Sequence, residues 1–353
     1  MTDTVGIVSI GTFSPEGYIT AVEIAEASGM PEWVVREKLG IEKKHVGGPD
    51  DHPNEMGIKA ALDCITSSGI DPKEIDVVLN TTEEWREYLL WTSGIHMAYE
   101  VGATNAWAMD VHNRCATTVG AMKMAKDMIL ADPEINTILI AGGYRISDFI
   151  NFKNKRTSFL WNIGSGGGAM LLRKNHPRNH VLGAHLITDG FMSKHVIVPA
   201  SGTARFPNPR AMTNAENVVP EDFYFDLVEP EAMKDRLNEV SMDNWVHCVD
   251  EALRKSGTKA DGTPYTKADL DFLNMVLIKP SGHREMLARL GLSPEQSVYR
   301  SDVGHIGEQD AMFGIEEGLR SGRLQDGDLM AIVAAGIGYV WGAAIVQWGE
   351  VTG

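Results

Sequence analysis

A single cysteine at the start of a small-residue helix is the strongest chemical signal in the sequence. Cys115 follows the short run WAMDV and precedes ATTVGAM, in which Val119 and Met122 begin an apolar spacing of three and four residues. Unpaired N–H groups and the positive end of a helix dipole favour thiolate at such a place, and the thiolate attacks carbonyl carbon. The alternative is a small, inert core residue, as most free cysteines are. Cys115 is therefore a candidate nucleophile for acyl transfer.

Three further titratable side chains stand where predicted elements begin or end. His305 follows a glycine, Glu83 follows the predicted buried strand DVVLNT at 76–81, and His283 precedes a predicted helix. A histidine near Cys115 would supply a base and a counter-cation, and a desolvated glutamate would have the raised pKa needed to take a proton from carbon. Each also has an ordinary interpretation: a helix cap for His305, a solvated strand end for Glu83 and a surface position for His283.

Glycines near the C-terminus can bring backbone N–H groups to the same place. The stretch GIGYVWGAAIVQW begins at Gly336, and glycines permit a close approach of the backbone. The N–H groups of Cys115, Ile337 and Gly338 are therefore candidate donors to the oxyanion of an acyl-transfer intermediate. The other Gly-rich stretch, GSGGG at 164–168, enters a strand rather than a helix, which argues against a dinucleotide-binding fingerprint.

Composition and charge limit the classes of protein. The chain has 353 residues, 43% hydrophobic and 23% charged, which is typical of a soluble globular protein with two halves or domains. The net charge of −16 argues against nucleic-acid binding, and no apolar run approaches the roughly 18 residues that a membrane helix needs. Cys64, Cys115 and Cys248 form no CxxC pair, so neither a metal site nor a disulfide framework is predicted. We expect a location in the reducing cytoplasm.

Strands that alternate with helices predict mostly parallel, covered sheets. The predicted elements of the first half recur in the same order in the second half, which indicates an internal duplication. We expect an N-terminal half at 1–176 that carries Cys115 and a C-terminal half at 177–353 that carries His305 and the Gly-rich closing loop.

Three segments have less regular patterns. Short helices are predicted at 31–39 and 243–255. The region 190–230 contains Pro, Asn and Gly with little periodicity, so we expect an inserted loop region of the kind that often covers a site.

Four stretches together resemble the β-ketoacyl-ACP synthase III enzymes of the thiolase superfamily. They are the closing segment GIGYVWGAAIVQW, the nucleophile segment CATTVGAM, PEWVVREKLGI and RTSFLWNIGSGGGAMLL. The resemblance implies an α/β fold, the duplicated thiolase-like five-layered αβαβα arrangement, usually as a homodimer. It also implies that Trp33, Lys38 and Arg156 contact the pantetheine and adenine-phosphate groups of the substrate.

Three positions depart from the synthase III pattern. Pro280 stands where the catalytic histidine is usual, and His305 stands where an asparagine is usual. The Gly-His pair is similar to the G-H-x-x-G segment of thiolases and elongating ketosynthases, in which the histidine activates the cysteine or stabilises the enolate. Glu83 resembles the glutamate base of HMG-CoA synthases.

The sequence therefore predicts an acyltransferase of lipid metabolism that forms or cleaves a carbon–carbon bond by Claisen condensation through acyl-Cys115. CoA or acyl-carrier thioesters would be substrates, with no bound cofactor or metal. One alternative is a non-decarboxylating thiolase or HMG-CoA-synthase-like subunit that works with a small zinc-ribbon/OB-fold partner. The other is a catalytically weak scaffold subunit of such a complex, which the proline at position 280 favours.

Overall fold

Two groups of strands, joined side by side in one nine-stranded sheet, form the framework of the protein. The computed structural model describes residues 3–200, 202–205 and 218–350. The first group contains, in spatial order, β5 (Trp107–Asp110), β4 (Val77–Asn80), β6 (Thr137–Tyr144), β7 (Gly166–Lys174) and β1 (Val5–Phe13). The second group continues with β8 (Arg178–Thr188), β13 (Val340–Glu350), β12 (Leu329–Gly336) and β11 (Phe272–Met275).

The two groups repeat one pairing scheme. In the first, β1 and β6 pair antiparallel with β7, while β4 pairs parallel with β6. In the second, β8 and β12 pair antiparallel with β13, while β11 pairs parallel with β12. A parallel bridge between Leu273 and Ser297 occupies the place that β5 has in the first group. The duplication predicted from the sequence is therefore present in the strand order.

Helices cover the strands in layers. Their bounds are α1 (Ala21–Ser28), α2 (Pro53–Ser68), α3 (Ser93–Glu100), α4 (Thr117–Ala131), α5 (Pro230–Arg254), α6 (Pro280–Leu290) and α7 (Asp310–Arg320). Helices α2 and α3 pack on the first group of strands. Helix α5 packs on the second group, and α6 packs against α5. Helices α4 and α7 each contact strands of both groups, so they form the central layer. This is the predicted five-layered αβαβα arrangement.

The sequence of α4 explains why it lies in the centre. Val119, Ala121, Met122 and Ala125 are all buried, which leaves little polar face for solvent. Its small residues admit close neighbours on several sides, and α4 accordingly contacts β6 and β7 as well as β8 and β13. The residues that precede α4 are thereby placed at the interface of the two groups of strands.

The element bounds differ from the sequence prediction in two places. The segment predicted as a helix at 31–39 is helical over 32–38, but its last five residues, Val34–Lys38, form a π-helix instead of an α-helix. Helix α5 begins at Pro230 rather than at residue 243, and its N-terminal part still packs, since Met233 is buried. The predicted division between residues 176 and 177 falls in the turn between β7 and β8, and its role as a domain boundary stays a prediction.

Two short antiparallel pairs lie outside the main sheet. Strand β2 (Tyr18–Thr20) pairs with β3 (Lys43–His45), and β9 (Val196–Ile197) pairs with β10 (Asp226–Leu227). The second pair belongs to the predicted loop region 190–230, of which residues 201 and 206–217 lie outside the described residues. Within the described ranges, no helix is both long and apolar enough to span a membrane.

Candidate active site

Cys115 lies in a tight turn that leads directly into the central helix α4. The turn is a 3-10 helix, Arg114–Ala116, and Arg114 has a left-handed backbone with φ of 52°. The Thr117 hydroxyl donates to the carbonyl oxygen of Arg114 at 2.6 Å and accepts from the N–H of Asn113 at 2.7 Å. A non-glycine residue in this conformation costs about 1–3 kcal/mol, and surrounding contacts must hold it. The sequence thus fixes the thiol at the helix start.

His305 reaches Cys115 from the second half of the chain. Its Nε2 lies 3.2 Å from the Cys115 Sγ, although 190 residues separate the two in sequence. The backbone of His305 is held on both sides, because its N–H donates to the Asn162 carbonyl at 2.8 Å and its carbonyl accepts from the Gly164 N–H at 2.8 Å. The structure therefore brings together the two residues that the sequence singled out as nucleophile and base.

Asp310, in the first turn of α7, holds the other ring nitrogen of His305. Its Oδ2 lies 2.6 Å from the His305 Nδ1, and it also accepts the backbone N–H of Leu277 at 2.7 Å. Its Oδ1 accepts the Ile306 N–H at 2.9 Å and lies 3.1 Å from the Arg300 guanidinium. Cys115, His305 and Asp310 form a nucleophile–base–carboxylate chain, the arrangement that activates a nucleophile in acyl transfer.

The charges of this chain favour an ion pair. Burial would raise the pKa of Asp310, but Arg300 and His305 lower it below its ordinary value, so the group is a carboxylate. Burial opposes protonation of His305, yet Asp310 and Cys115 raise its pKa to about 10. An imidazolium that donates one N–H to Asp310, with its other N–H directed at the Cys115 Sγ, is therefore favoured at neutral pH.

Glycine at position 307 lets the histidine loop pack against an aromatic side chain. Gly307 has φ of +56°, and a Cβ placed there would lie 2.3 Å from the Tyr144 ring. The Tyr144 ring in turn lies 6.2 Å, centroid to centroid, from the His305 ring. A larger residue at 307 would push the loop away, so this glycine contributes to the position of His305.

Glu83 is a buried carboxyl group at the same cavity as Cys115. Its side chain follows β4, as predicted, and only 3% of the residue is exposed. Its Oε2 lies 3.1 Å from an Nη of Arg114, which also binds Glu84, while its Oε1 has no hydrogen-bond partner among the described residues. Burial raises the pKa of Glu83 to about 7, although Arg114 acts in the opposite direction. A carboxyl group with such a pKa can act as acid or base near neutrality.

A second buried carboxyl group, Glu308, lies on the other side of Cys115. One oxygen accepts from Gln309 at 2.9 Å, and the second has no partner in the described part of the chain. Glu308, Cys115 and Thr118 line a small cavity, and the Thr118 hydroxyl donates to the Glu308 backbone carbonyl at 2.7 Å. Burial, together with the nearby Glu83, raises the pKa of Glu308 well above its ordinary value. Both influences favour the neutral form of this carboxyl group.

The candidate oxyanion segment borders the same cavity. Ile337 and Gly338 line it together with Cys115. Gly336 packs directly on the nucleophile turn, because a Cβ at this position would lie 2.9 Å from the Cys115 nitrogen. The closing segment is thus placed beside Cys115, as expected of residues that donate N–H groups to an oxyanion.

The cavity in front of Cys115 has a volume of about 550 Å³. One side is charged and carries Glu83, Glu84 and Arg114, which belong to the first half of the chain. The other side includes apolar residues of the region 190–230, among them Val196 and Phe225. Residues of both halves therefore enclose the reacting thiol, and a cavity of this size can take a drug-sized ligand.

The structure does not bring His283 to this cavity. His283 is buried within α6, its Nε2 lies 3.0 Å from the Ser297 hydroxyl, and it lines a separate cavity with Arg284 and Tyr299. Burial lowers the pKa of His283 to about 4, so the ring is neutral. These contacts supply a packing and hydrogen-bonding role for this histidine.

The predicted substrate-binding residues lie at the surface. The Trp33 ring is 54% exposed, and the Lys38 ammonium lies 6.0 Å from its centroid. Arg156 is tied elsewhere, since it donates to the Leu227 carbonyl at 2.9 Å and lies 3.2 Å from Asp226. The structure thus pairs Trp33 with Lys38 and leaves both accessible to a ligand.

Comparison with known proteins agrees with the fold. The family models of 3-oxoacyl-ACP synthase III match residues 109–190 and, for its C-terminal part, residues 261–348. The synthase III of Symbiobacterium thermophilum is 26% identical over 352 residues and covers 98% of each chain. The protein is a synthase III-like member of the thiolase superfamily.

Solved structures share the fold of this synthase III-like protein over nearly its whole length. The synthase III of Pseudomonas aeruginosa superposes with a TM-score of 0.79 at 18% identity and covers 99% of this chain and 100% of its own. OleA from Xanthomonas campestris, solved with lauric acid and lauroyl-CoA bound, superposes with a TM-score of 0.76 at 16% identity, covering 98% and 99%.

These findings place the synthase III-like protein among acyltransferases of the thiolase type. The matching family and relatives are named synthases III, so the HMG-CoA-synthase-like and scaffold alternatives are not favoured. Within the described ranges, no group of three or more His, Cys, Asp or Glu side chains is arranged to hold a metal.

Sequence reasoning did not find Asp310, Glu308 or Tyr144. Asp310 carried a usable signal, because it lies five residues after His305 at the start of a predicted helix, where a carboxylate can turn back to the preceding loop. Glu308 and Tyr144 carried none, because only the folding of two distant segments brings them to Cys115.

Proposed function

We propose that this protein transfers an acyl group from a thioester to Cys115 and then joins it to a second acyl thioester by Claisen condensation. The observation that carries the proposal is the chain of contacts from the Cys115 Sγ through His305 to Asp310, at 3.2 Å and 2.6 Å. A thiolate paired with an imidazolium is ready to attack a thioester without prior loss of a proton.

In the first half-reaction, the Cys115 thiolate attacks the carbonyl carbon of the donor thioester. The backbone N–H groups of Cys115, Ile337 and Gly338 are the donors proposed for the oxyanion. The intermediate collapses with cleavage of the carbon–sulfur bond to the carrier, and the His305 imidazolium supplies the proton that the departing thiolate takes up. The products are acyl-Cys115 and the free carrier thiol.

In the second half-reaction, an acceptor thioester becomes a carbanion at its α-carbon, by loss of either CO₂ or a proton. Glu83 is our candidate for receiving that proton, because its unpartnered Oε1 belongs to a buried carboxyl group with a pKa of about 7. The carbanion attacks the acyl carbonyl, and the Cys115 thiolate leaves. His305 regains a proton, from Glu83 in the proton-abstracting route or from solvent after loss of CO₂, and the resulting imidazolium is the counter-ion of the released thiolate.

The carrier is proposed to be CoA, held at the surface by Trp33 and Lys38. An exposed indole with a nearby ammonium suits an adenine ring and its phosphates. The net charge of −16 disfavours an acidic carrier protein.

In Lys38→Ala, loading of Cys115 from acyl-CoA should slow, while loading from the matching acyl-pantetheine, which lacks the nucleotide, should not. Equal slowing of both would contradict the contact.

The protein is further proposed to act as a homodimer. Strand β5 is an edge of the sheet in the described residues, and edge strands offer unpaired backbone groups. Exposed apolar side chains lie on it and next to it, namely Trp107 on β5 itself and Tyr99 on α3, which packs against β5. A self-complementary patch of this kind is typical of a twofold interface.

Intact-mass measurement after mixing the protein with acyl-CoAs tests the proposal. A mass gain of one acyl group that is absent in Cys115→Ala is the expected result. Adding malonyl-CoA or acetyl-CoA to the acylated protein then separates a decarboxylating from a proton-abstracting second step, and Glu83→Gln should stop only the latter.

The absence of any adduct, with acyl-CoA or with an acyl-carrier thioester, would overturn the proposal for the chain alone. A small zinc-ribbon/OB-fold partner stays a prediction, and activity of the purified chain without additions would contradict a need for it.

A further inference from the structure

The cavity in front of Cys115 has an apolar and largely aromatic side that the chemistry of acyl transfer does not require. Phe149, Val196, Ala200, Phe223 and Phe225 line it, in addition to the charged residues Glu83, Glu84 and Arg114. Transfer of an acetyl group needs only the thiol, its histidine and oxyanion donors. An acetyl group would leave most of the 550 Å³ unfilled.

Three aromatic rings fix the shape of this side. The Trp85 and Phe149 rings lie 4.7 Å apart between centroids, and the Phe149 and Phe225 rings 5.9 Å apart in an edge-on arrangement. The Phe225 N–H donates to the Phe149 carbonyl at 2.8 Å, and the Trp85 indole donates to Asp148 at 3.1 Å. Rings held in this way form a preorganised apolar surface, because little side-chain entropy is lost when a ligand binds.

The charged edge of the cavity does not suit an anionic acyl group. Arg114 is bound by Glu83 and Glu84, and Arg86 lies beside Asp110. Both arginines are thus already paired with carboxylates, and Glu87 adds a further acidic group to the lining. A terminal carboxylate on the acyl chain would enter an apolar space or face these acidic groups, and either is unfavourable.

We propose that the donor acyl group is a neutral, apolar chain of medium or long length, and that Phe149 and Phe225 determine this preference. The inference rests on the proposed acyl transfer and names the substrate class of the same site. A chain of this kind would run from Cys115 along the aromatic rings and displace water from apolar surface at each methylene.

Rates of Cys115 acylation by a series of acyl-CoAs provide the test. From acetyl- through butyryl- to octanoyl-CoA, the second-order rate constant should rise by about fourfold per methylene, the gain expected for burial of each group. Valeryl-CoA should load at least tenfold faster than glutaryl-CoA, which has the same length and a terminal carboxylate. Equal rates for acetyl- and octanoyl-CoA, or for valeryl- and glutaryl-CoA, would overturn the inference and leave the acyl transfer standing.

Two substitutions change the cavity in opposite directions. Phe225→Ala removes part of the aromatic side, so octanoyl loading should fall by roughly tenfold or more while acetyl loading stays the same. Ala200→Leu fills space on the same side, so the longest chain that loads should become shorter. Loss of acetyl loading in Phe225→Ala as well would indicate that the substitution disturbs the fold. The leucine side chain of Phe225→Leu is closer in volume to phenylalanine, so this variant should then restore acetyl loading. A chain-length profile unchanged in both variants would contradict the assignment.

Equilibrium binding to Cys115→Ala separates this inference from the proposed function. Acyl-CoA should bind this variant more tightly as the chain lengthens from acetyl to octanoyl, even though no transfer occurs. Failure of the wild type to acylate, together with such a binding series, would overturn the transfer and support the apolar site. A flat binding series would overturn the apolar site.

Discussion

Asp310 acts on the charge of the proposed catalytic pair, Cys115 and His305, from the far side of the imidazole. Its carboxylate lies 2.6 Å from His305, and two backbone N–H groups and Arg300 fix its position. A negative charge at this distance raises the pKa of His305, and the imidazolium in turn stabilises the Cys115 thiolate. Asp310 is therefore a positioning residue whose effect should be visible in the reactivity of the thiol.

Replacing the carboxylate should change the pH dependence of thiol alkylation. In Asp310→Asn, the pKa of His305 should fall, the imidazolium should be lost at lower pH, and the thiol should ionise only at higher pH. The rate of Cys115 alkylation by iodoacetamide at pH 7 should then drop by roughly ten- to a thousandfold, with the profile displaced to higher pH. Intact mass against time at several pH values gives the rates.

The chain offers a matched control for that measurement. Asp76 also accepts two backbone N–H groups, from Asn136 at 2.7 Å and Thr137 at 2.9 Å, so Asp76→Asn should leave the profile unchanged. Background is low because burial raises the pKa of both Cys64 and Cys248 to about 12. Superimposable profiles for Asp310→Asn and the wild type would show that Asp310 does not control the thiol.

Some residues of the candidate site could be predicted from the sequence, and others could not. Cys115 and His305 could be singled out because a thiol before a small-residue helix and a Gly-His pair carry local patterns. His283 was assigned to the site from its distance along the chain to the position of the usual histidine. Residue spacing does not say which side of α6 it occupies, and in the structure that side packs against Ser297 and Tyr299.

The turn that carries Cys115 is compact because a glycine of the closing segment lies against it. Gly336 ends β12, and a Cβ at this position would lie 2.6 Å from the Arg114 Cβ and 2.9 Å from the Cys115 nitrogen. Neither atom belongs to the flexible end of a side chain. An added methyl group must therefore move the turn or the strand.

Gly336→Ala should reduce acylation of Cys115 by roughly ten- to a hundredfold, because a small displacement of the nucleophile has a large kinetic effect. Gly120→Ala is the matched control in α4. Its Cβ would meet only Leu186, at an ordinary contact distance of 3.7 Å, and the helix should gain about 1 kcal/mol. Acylation rates and thermal unfolding of the two variants test this. Full activity in Gly336→Ala would show that the turn tolerates displacement.

Elements with strong local patterns could be predicted, and those that depend on partners could not. The buried strand at 76–81 and the helix after Cys115 are apolar enough to be recognised from sequence. The start of α5 at Pro230 was missed because its first turns are polar and are held by packing of Met233. The segment 31–39 has a helical apolar pattern, which does not distinguish an α-helix from the wider π turn that it forms.

The whole molecule presents an unpaired sheet edge with an apolar rim, which we interpret as the dimer interface. Trp107 on β5 is 48% exposed, and Leu62 on α2, outside this patch, is 43% exposed. The two residues are thus equally accessible in the single chain. They differ in whether a second copy would cover them.

Trp107→Glu should weaken dimerisation by roughly 30-fold or more, because a charge would replace an aromatic anchor in the interface. Leu62→Glu should leave the dimer unchanged. Sedimentation equilibrium of the wild type and both variants gives the dissociation constants. A monomeric wild type, or equal effects of the two substitutions, would contradict the placement of the interface.

At this scale the duplication was the most predictable feature. Repeated strand patterns in one order are visible in the sequence, and β1-β7-β6-β4 and β8-β13-β12-β11 repeat in space. What the repeat could not show is that its two copies contribute different chemistry. The turn before α4 supplies the thiol. The loop before α7 supplies the imidazole, and the first residue of α7 supplies its carboxylate.

This division has a consequence for protein synthesis. Cys115 leaves the ribosome long before His305, since 190 residues lie between them, which at about 5–20 residues per second corresponds to roughly 10–40 s. During that interval the thiol has no imidazolium beside it and keeps the low reactivity of an ordinary cysteine. The nascent chain therefore meets cellular thioesters and oxidants while Cys115 still has the reactivity of an ordinary thiol. The reactivity of Cys115 increases only when the fold is complete and His305 lies beside it.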